Sequence, residues 1–180
     1  MNVLLTGTVI AAVVAAIGLL VSALLNNWMT ERREDRAYQR TMQREAASEL
    51  KESLQGIRRV IELSAKQPVS PQQVTKAVAS WETAHRKHVT RIPKRGRHVR
   101  RSVAIALGEH FGAVGWSNMF PEDTDFEVAE HSSQWRDNAD TYLSYLVNQF
   151  SRWHDDPHKA YKLSTLDFDT WLANRNRMFS

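Results

Sequence analysis

The sequence predicts an all-α protein: one N-terminal transmembrane helix followed by a bundle of four or five helices. Three observations carry this. The first thirty residues hold no charged side chain, and Val3–Leu25 reads VLLTGTVIAAVVAAIGLLVSALL without a break. Downstream, apolar residues recur at three- and four-residue spacing, the period of one helical face. No segment sustains the alternation of Val, Ile and Thr that marks a half-buried strand. Residues 1–29 are expected to anchor the chain, and residues 30–180 to form one domain long enough to bury a core.

The apolar run comes first. At about 1.5 Å per residue it makes a helix of roughly 34 Å, enough to cross a hydrocarbon core of about 30 Å with modest tilt. Its polar residues, Thr6, Thr8 and Ser22, can return their hydroxyls to their own helix. A cleaved signal peptide is the competing reading, but that requires a basic leader and an apolar core of about 7–15 residues. Only Met1 and Asn2 precede this run, and Asn26-Asn27-Trp28 follows it, so a retained anchor is expected. No Lys or Arg lies before the run, whereas Arg32, Arg33, Arg36, Arg40 and Arg44 follow closely. The positive-inside rule therefore puts the N-terminus outside and the domain in the cytoplasm, with Trp28 at headgroup level. Thr8, Ala11, Ala15, Gly18 and Ser22 share one heptad seam, where a second helix could approach closely, for homo-oligomerisation or pairing with another membrane protein.

From Trp28 to about Ala65, a single face carries Met42, Ala46, Leu50, Leu54, Ile57 and Ile61. Only Gly56 interrupts the helix formers, so one long helix is expected to leave the bilayer and enter the bundle, ending at Pro68 and Pro71. A second helix, about 72–91, presents Val74, Val78, Trp81 and Val89 and stops before Pro93. A third, about 99–114, presents Val103, Leu107, Phe111 and Val114. The fourth opens on a capping box, Thr124-x-x-Glu127. It buries Ala139, Tyr142, Leu143, Leu146, Phe150 and Trp153 and ends at Asp155-Asp156-Pro157. Ser164-x-x-Asp167 opens a short fifth helix that buries Phe168, Trp171 and Leu172.

The 24 basic and 20 acidic residues all follow Thr30, and the densest charge lies in His85–Arg101, HRKHVTRIPKRGRHVRR. That stretch holds Arg86, Lys87, Arg91, Lys94, Arg95, Arg97, Arg100 and Arg101, with no carboxylate between Glu82 and Glu109. Pro93 and Gly96 place its centre on a turn between helices. Such a turn attracts polyanions: anionic lipid headgroups, an acidic protein partner, or nucleic acid. Nucleic acid is the weaker match, because no aromatic interleaves the run and no helix-turn-helix or zinc-finger signature is present. The bland reading is a solvated turn partly matched by Glu122, Asp123, Asp125, Glu127 and Glu130.

Chemistry is otherwise thinly signed. The chain has no Cys, and no G-x-S-x-G, H-E-x-x-H or Walker motif occurs. Glu82-x-x-His85 has the spacing of one di-iron half-site, but a second half-site and two further glutamates are missing. Arg86 and Lys87 beside it oppose a cation. No cofactor, metal or catalytic residue is expected. Trp81, Trp135, Trp153 and Trp171 read as core; Trp116 and Phe120 read as partner-facing.

Trp28, Arg32, Arg33, Arg36, Ala37 and Tyr38, directly after the apolar run, resemble a loose group of uncharacterised bacterial single-span membrane proteins with an Arg-rich juxtamembrane segment and a helical cytoplasmic domain. The resemblance covers about the first 40 positions. It implies a bacterial inner-membrane location and no activity. The expected function is a non-enzymatic interaction protein with a basic docking turn. Two alternatives stand beside it: a membrane-active oligomeric effector acting through its span, and an enzyme with an unrecognised discontinuous site.

Overall fold

The computed structural model describes residues 3–111, 133–158 and 164–178, with side chains at most positions from residue 22 onward. Among the described residues the secondary structure is entirely helical: α1 Val3–Ser64, α2 Pro71–His88, α3 Val99–Phe111, α4 Ser133–Asp155 and α5 Phe168–Met178, with a 3-10 turn at Lys94–Gly96. The all-α expectation is met. Residues 1–41 and residues 42–180 form two compact units.

In the first unit the chain is helical, and described side chains from Ser22 to Arg40 are exposed. Leu24, Leu25, Trp28 and Met29 are 70, 54, 49 and 47 % exposed. The Arg32 guanidinium lies over the Trp28 ring, 3.7 Å from its centroid. Among the described residues no helix is long and apolar enough to cross a membrane. The side chains of residues 1–21, the bulk of the apolar run, lie outside the described residues, as do those of Thr8, Ala11, Ala15 and Gly18 in the small-residue seam; Ser22 is exposed.

The second unit is a bundle whose helices alternate in direction. α1 enters it at Met42 and buries Ala46, Ala47, Leu50, Leu54, Ile57 and Ile61. Its last turn closes through Lys66 and Gln67 amides on the Leu63 carbonyl, before Pro68. α2 runs back antiparallel, because its C-terminal Lys87 and His88 reach Glu45 and Glu49 of α1. Its start is a full capping box: the Gln73 amide donates to Ser70 Oγ and the Ser70 amide to Gln73 Oε1, with Pro71 in the first turn. α4 is antiparallel to α1. Arg58 donates two bonds to Asp140 at one end, and Trp153 Nε1 donates to Gln43 at the other. α5 folds back along α4, with Arg175 on Asn138 and Phe168 and Trp171 against the Tyr142 ring. One continuous core takes residues from all five helices.

Several boundaries differ from expectation. α2 ends at His88 rather than near Arg91, and Val89 is 44 % exposed rather than buried. The reason is geometric: the buried face at this end of α2 is completed by His85 and His88, and the His88 carbonyl then closes the turn by accepting from the Arg91 and Ile92 amides. α5 begins at Phe168, capped by Asp167, whose carboxylate accepts from the Thr170 amide at 2.9 Å and hydroxyl at 2.8 Å. Ser164 instead lies in the preceding loop, where its carbonyl accepts from Tyr145. The Thr124 capping box, Val114, Trp116, Phe120 and the acidic stretch from Glu122 to Glu130 lie outside the described residues, as does the Trp135 side chain.

Candidate functional site

The basic run lies at the end of the bundle where α1 enters, and its backbone is closed by short-range bonds. Arg91 and Ile92 amides bond to the His88 carbonyl, Gly96 to Pro93, and Ser102 to His98 in the first turn of α3. Buried Ile92 pins the turn to the core. From the other side, the loop before α5 supports it. Thr165, itself buried, donates its hydroxyl to the Arg95 carbonyl and therefore accepts from His98 Nε2, each at 3.2 Å.

The structure divides the eight basic residues into two groups. Three are engaged within the bundle. Lys87 Nζ lies 2.6 Å from Glu49 and 3.3 Å from Glu45, Arg100 Nε lies 2.7 Å from Glu82, and Arg91 Nη1 donates to His88 Nδ1 at 2.9 Å. An arginine can only donate, so His88 Nδ1 accepts and Nε2 carries the proton given to Glu49 Oε2 at 2.9 Å. His88 has no exposed surface, so it links charges and meets no ligand. The Lys87 hydrogen bond, followed by that of His88, holds the Glu49 carboxyl below its ordinary value, and Glu49 in turn raises the Lys87 ammonium.

The second group is Arg86, Lys94, Arg95, Arg97 and Arg101. All five are exposed, and among the described residues they make no ion pair. Lys94, Arg95 and Arg97 lie on the turn, Arg86 in the last turn of α2 and Arg101 in the first turn of α3, and all five face solvent, where long cationic side chains can meet an external anion. Glu45, Glu49 and Thr165, which hold this end together, were not singled out by the sequence. The i, i+4 spacing of Glu45 and Glu49 was visible, but their partners lie about forty residues away.

Glu82 is taken by Arg100, and among the described residues no three His, Asp or Glu side chains converge. His85 is buried on α2 with its ring 5.6 Å from that of Trp81, and among the described residues neither His85 Nε2 nor Trp81 Nε1 has a hydrogen-bond partner. Burial pushes the His85 pKa down, against the raising influence of Glu82.

Fold and site together define a helical bundle with a basic turn at one end. Comparison with protein-family models, with curated proteins and with solved structures finds no match to this chain.

Proposed function

We propose that this chain is a membrane-anchored, non-enzymatic interaction protein whose bundle docks a polyanionic partner through the α2–α3 turn. In this reading residues 3–25 hold it in a bacterial inner membrane, with the N-terminus outside and the bundle in the cytoplasm. The observation that carries the docking role is the set of five exposed cations, at and beside a turn supported from behind by Thr165, that make no ion pair among the described residues. Cations already paired contribute little net field; these five, unpaired among the described residues, are placed to steer and bind an anionic surface. The anchor is supported by the charge-free run and by the exposed Leu24, Leu25, Trp28 and Met29 beside Arg32. Such an apolar cluster flanked by arginine suits a bilayer interface better than water.

The test is affinity capture from gently solubilised membranes, comparing wild type with Arg95→Glu/Arg97→Glu/Arg101→Glu. Arg100 is left intact, because a glutamate there would face Glu82. An anionic protein, lipid or nucleic acid retained by wild type and lost from the variant is the expected result. Matching profiles would reduce the turn to a solvated face.

A further inference from the structure

Among the described residues of the bundle, Val89 is the one large apolar side chain that is exposed. A lone surface valine is ordinary, but the place of this one is not. It closes α2 three residues after Arg86, on the same helical face. Lys94, Arg95 and Arg97 follow on the turn and Arg101 in the first turn of α3. An apolar contact is thus set among five exposed cations that make no ion pair among the described residues. On the supporting side, Asp167 is held by Thr170 and Asp155 by His154, and neither pairs with any of the five.

The composition of this patch discriminates between kinds of anion. Single-stranded nucleic acid is gripped by stacking aromatics as well as charge, and residues 85–101 contain no Phe, Tyr or Trp. A protein partner anchors a side chain in a pocket, but none of the five cations lines the open groove of about 590 Å³ between α1 and α2. An anionic bilayer needs neither. Its headgroups attract each lysine or arginine as a separate charge, and its acyl boundary accepts an apolar side chain beside them. Under the anchored reading, only the 13 positions from Met29 to Met42 join span and bundle, a reach of at most about 45 Å. The headgroups then lie at high effective concentration around the end where α1 enters.

We infer that the α2–α3 turn docks on an anionic bilayer, with Val89 at the headgroup boundary and the five cations around it. The bilayer is thereby named as the partner of the docking surface proposed above, and the inference rests on that role.

The chain has no cysteine, so Val89→Cys can carry a single polarity-sensitive fluorophore in the full chain. The labelled protein is reconstituted into phosphatidylcholine vesicles with or without phosphatidylglycerol, each containing lipid-borne quenchers. A blue shift and quenching are expected only with phosphatidylglycerol. The same label at Gln67→Cys, past the far end of α1, should stay aqueous in both. Arg95→Glu/Arg97→Glu/Arg101→Glu should lower the phosphatidylglycerol-dependent quenching at least about tenfold. Arg95→Lys/Arg97→Lys/Arg101→Lys should keep it, because headgroup attraction follows charge, whereas a site built on the arginine fork would be lost. A Val89 probe that stays aqueous on phosphatidylglycerol overturns the inference, as does quenching that is equal without it. If affinity capture still returns a protein or nucleic acid dependent on the same arginines, the docking role stands with another partner; if it returns none, both fall.

Discussion

At the scale of single residues, burial and pairing decide what each charge is for. His85 is 7 % exposed, its Nε2 has no partner among the described residues, and desolvation holds its pKa below the ordinary 6.5. Above that value the imidazole is neutral in both folded and unfolded chains. As the pH falls through it, the unfolded chain takes up a proton that the folded chain resists, so stability declines toward the lower folded pKa. Glu82 faces this ring favourably and Arg100 unfavourably, and neither reverses the direction. The melting temperature of the wild type is expected to drop between pH 7 and pH 5.5 more steeply than that of His85→Leu. Parallel profiles would show that the ring is solvated. The basic character of residues 85–101 was plain in the sequence, whereas the division into a paired set, Lys87, Arg91 and Arg100, and five exposed cations was not. That division depends on Glu45, Glu49 and Glu82, which composition cannot assign to partners.

Among the helices, apolar spacing located the buried faces of α1 and α4 well, because a 3.6-residue period over many turns leaves one stripe. Ala46, Leu50, Leu54, Ile57 and Ile61 are all buried, as are Tyr142, Leu146, Phe150 and Trp153. Helix ends were harder to place. Ser70-Pro71-x-Gln73 is a readable capping box that went unassigned, and Asp167 rather than Ser164 caps α5. Both turn on which polar side chain reaches a free amide, a choice made over two or three residues. Thr170 holds the Asp167 carboxylate below its usual range, its amide first and its hydroxyl second. Asp167→Ala should therefore cost about 1 kcal/mol in urea unfolding, the ordinary price of a lost N-cap. An unchanged midpoint would mean that α5 is held by Phe168 and Trp171 alone. Val89 shows the converse failure of periodicity: its spacing is helical, but the helix ends one residue earlier.

For the bundle as a whole, the core runs unbroken through α1, α2, α3, α4 and α5, so no helix has a core of its own. Residues 42–180 are accordingly expected to unfold in urea in one transition, with tryptophan fluorescence and helical circular dichroism coinciding. Separate midpoints would show that α5 or α3 melts independently. Much of this architecture was already determined by the sequence: an apolar charge-free start, an all-helical domain, and a dense basic turn between its second and third helices. These follow from composition and short-range period, which are local along the chain. Only the tertiary structure decided which cations are paired and which loop supports the turn. Those features depend on pairs such as Lys87 with Glu49, Arg58 with Asp140 and Trp153 with Gln43, separated by 38, 82 and 110 residues. Packing of the core brings such groups within reach, and no pattern along the sequence encodes the encounter.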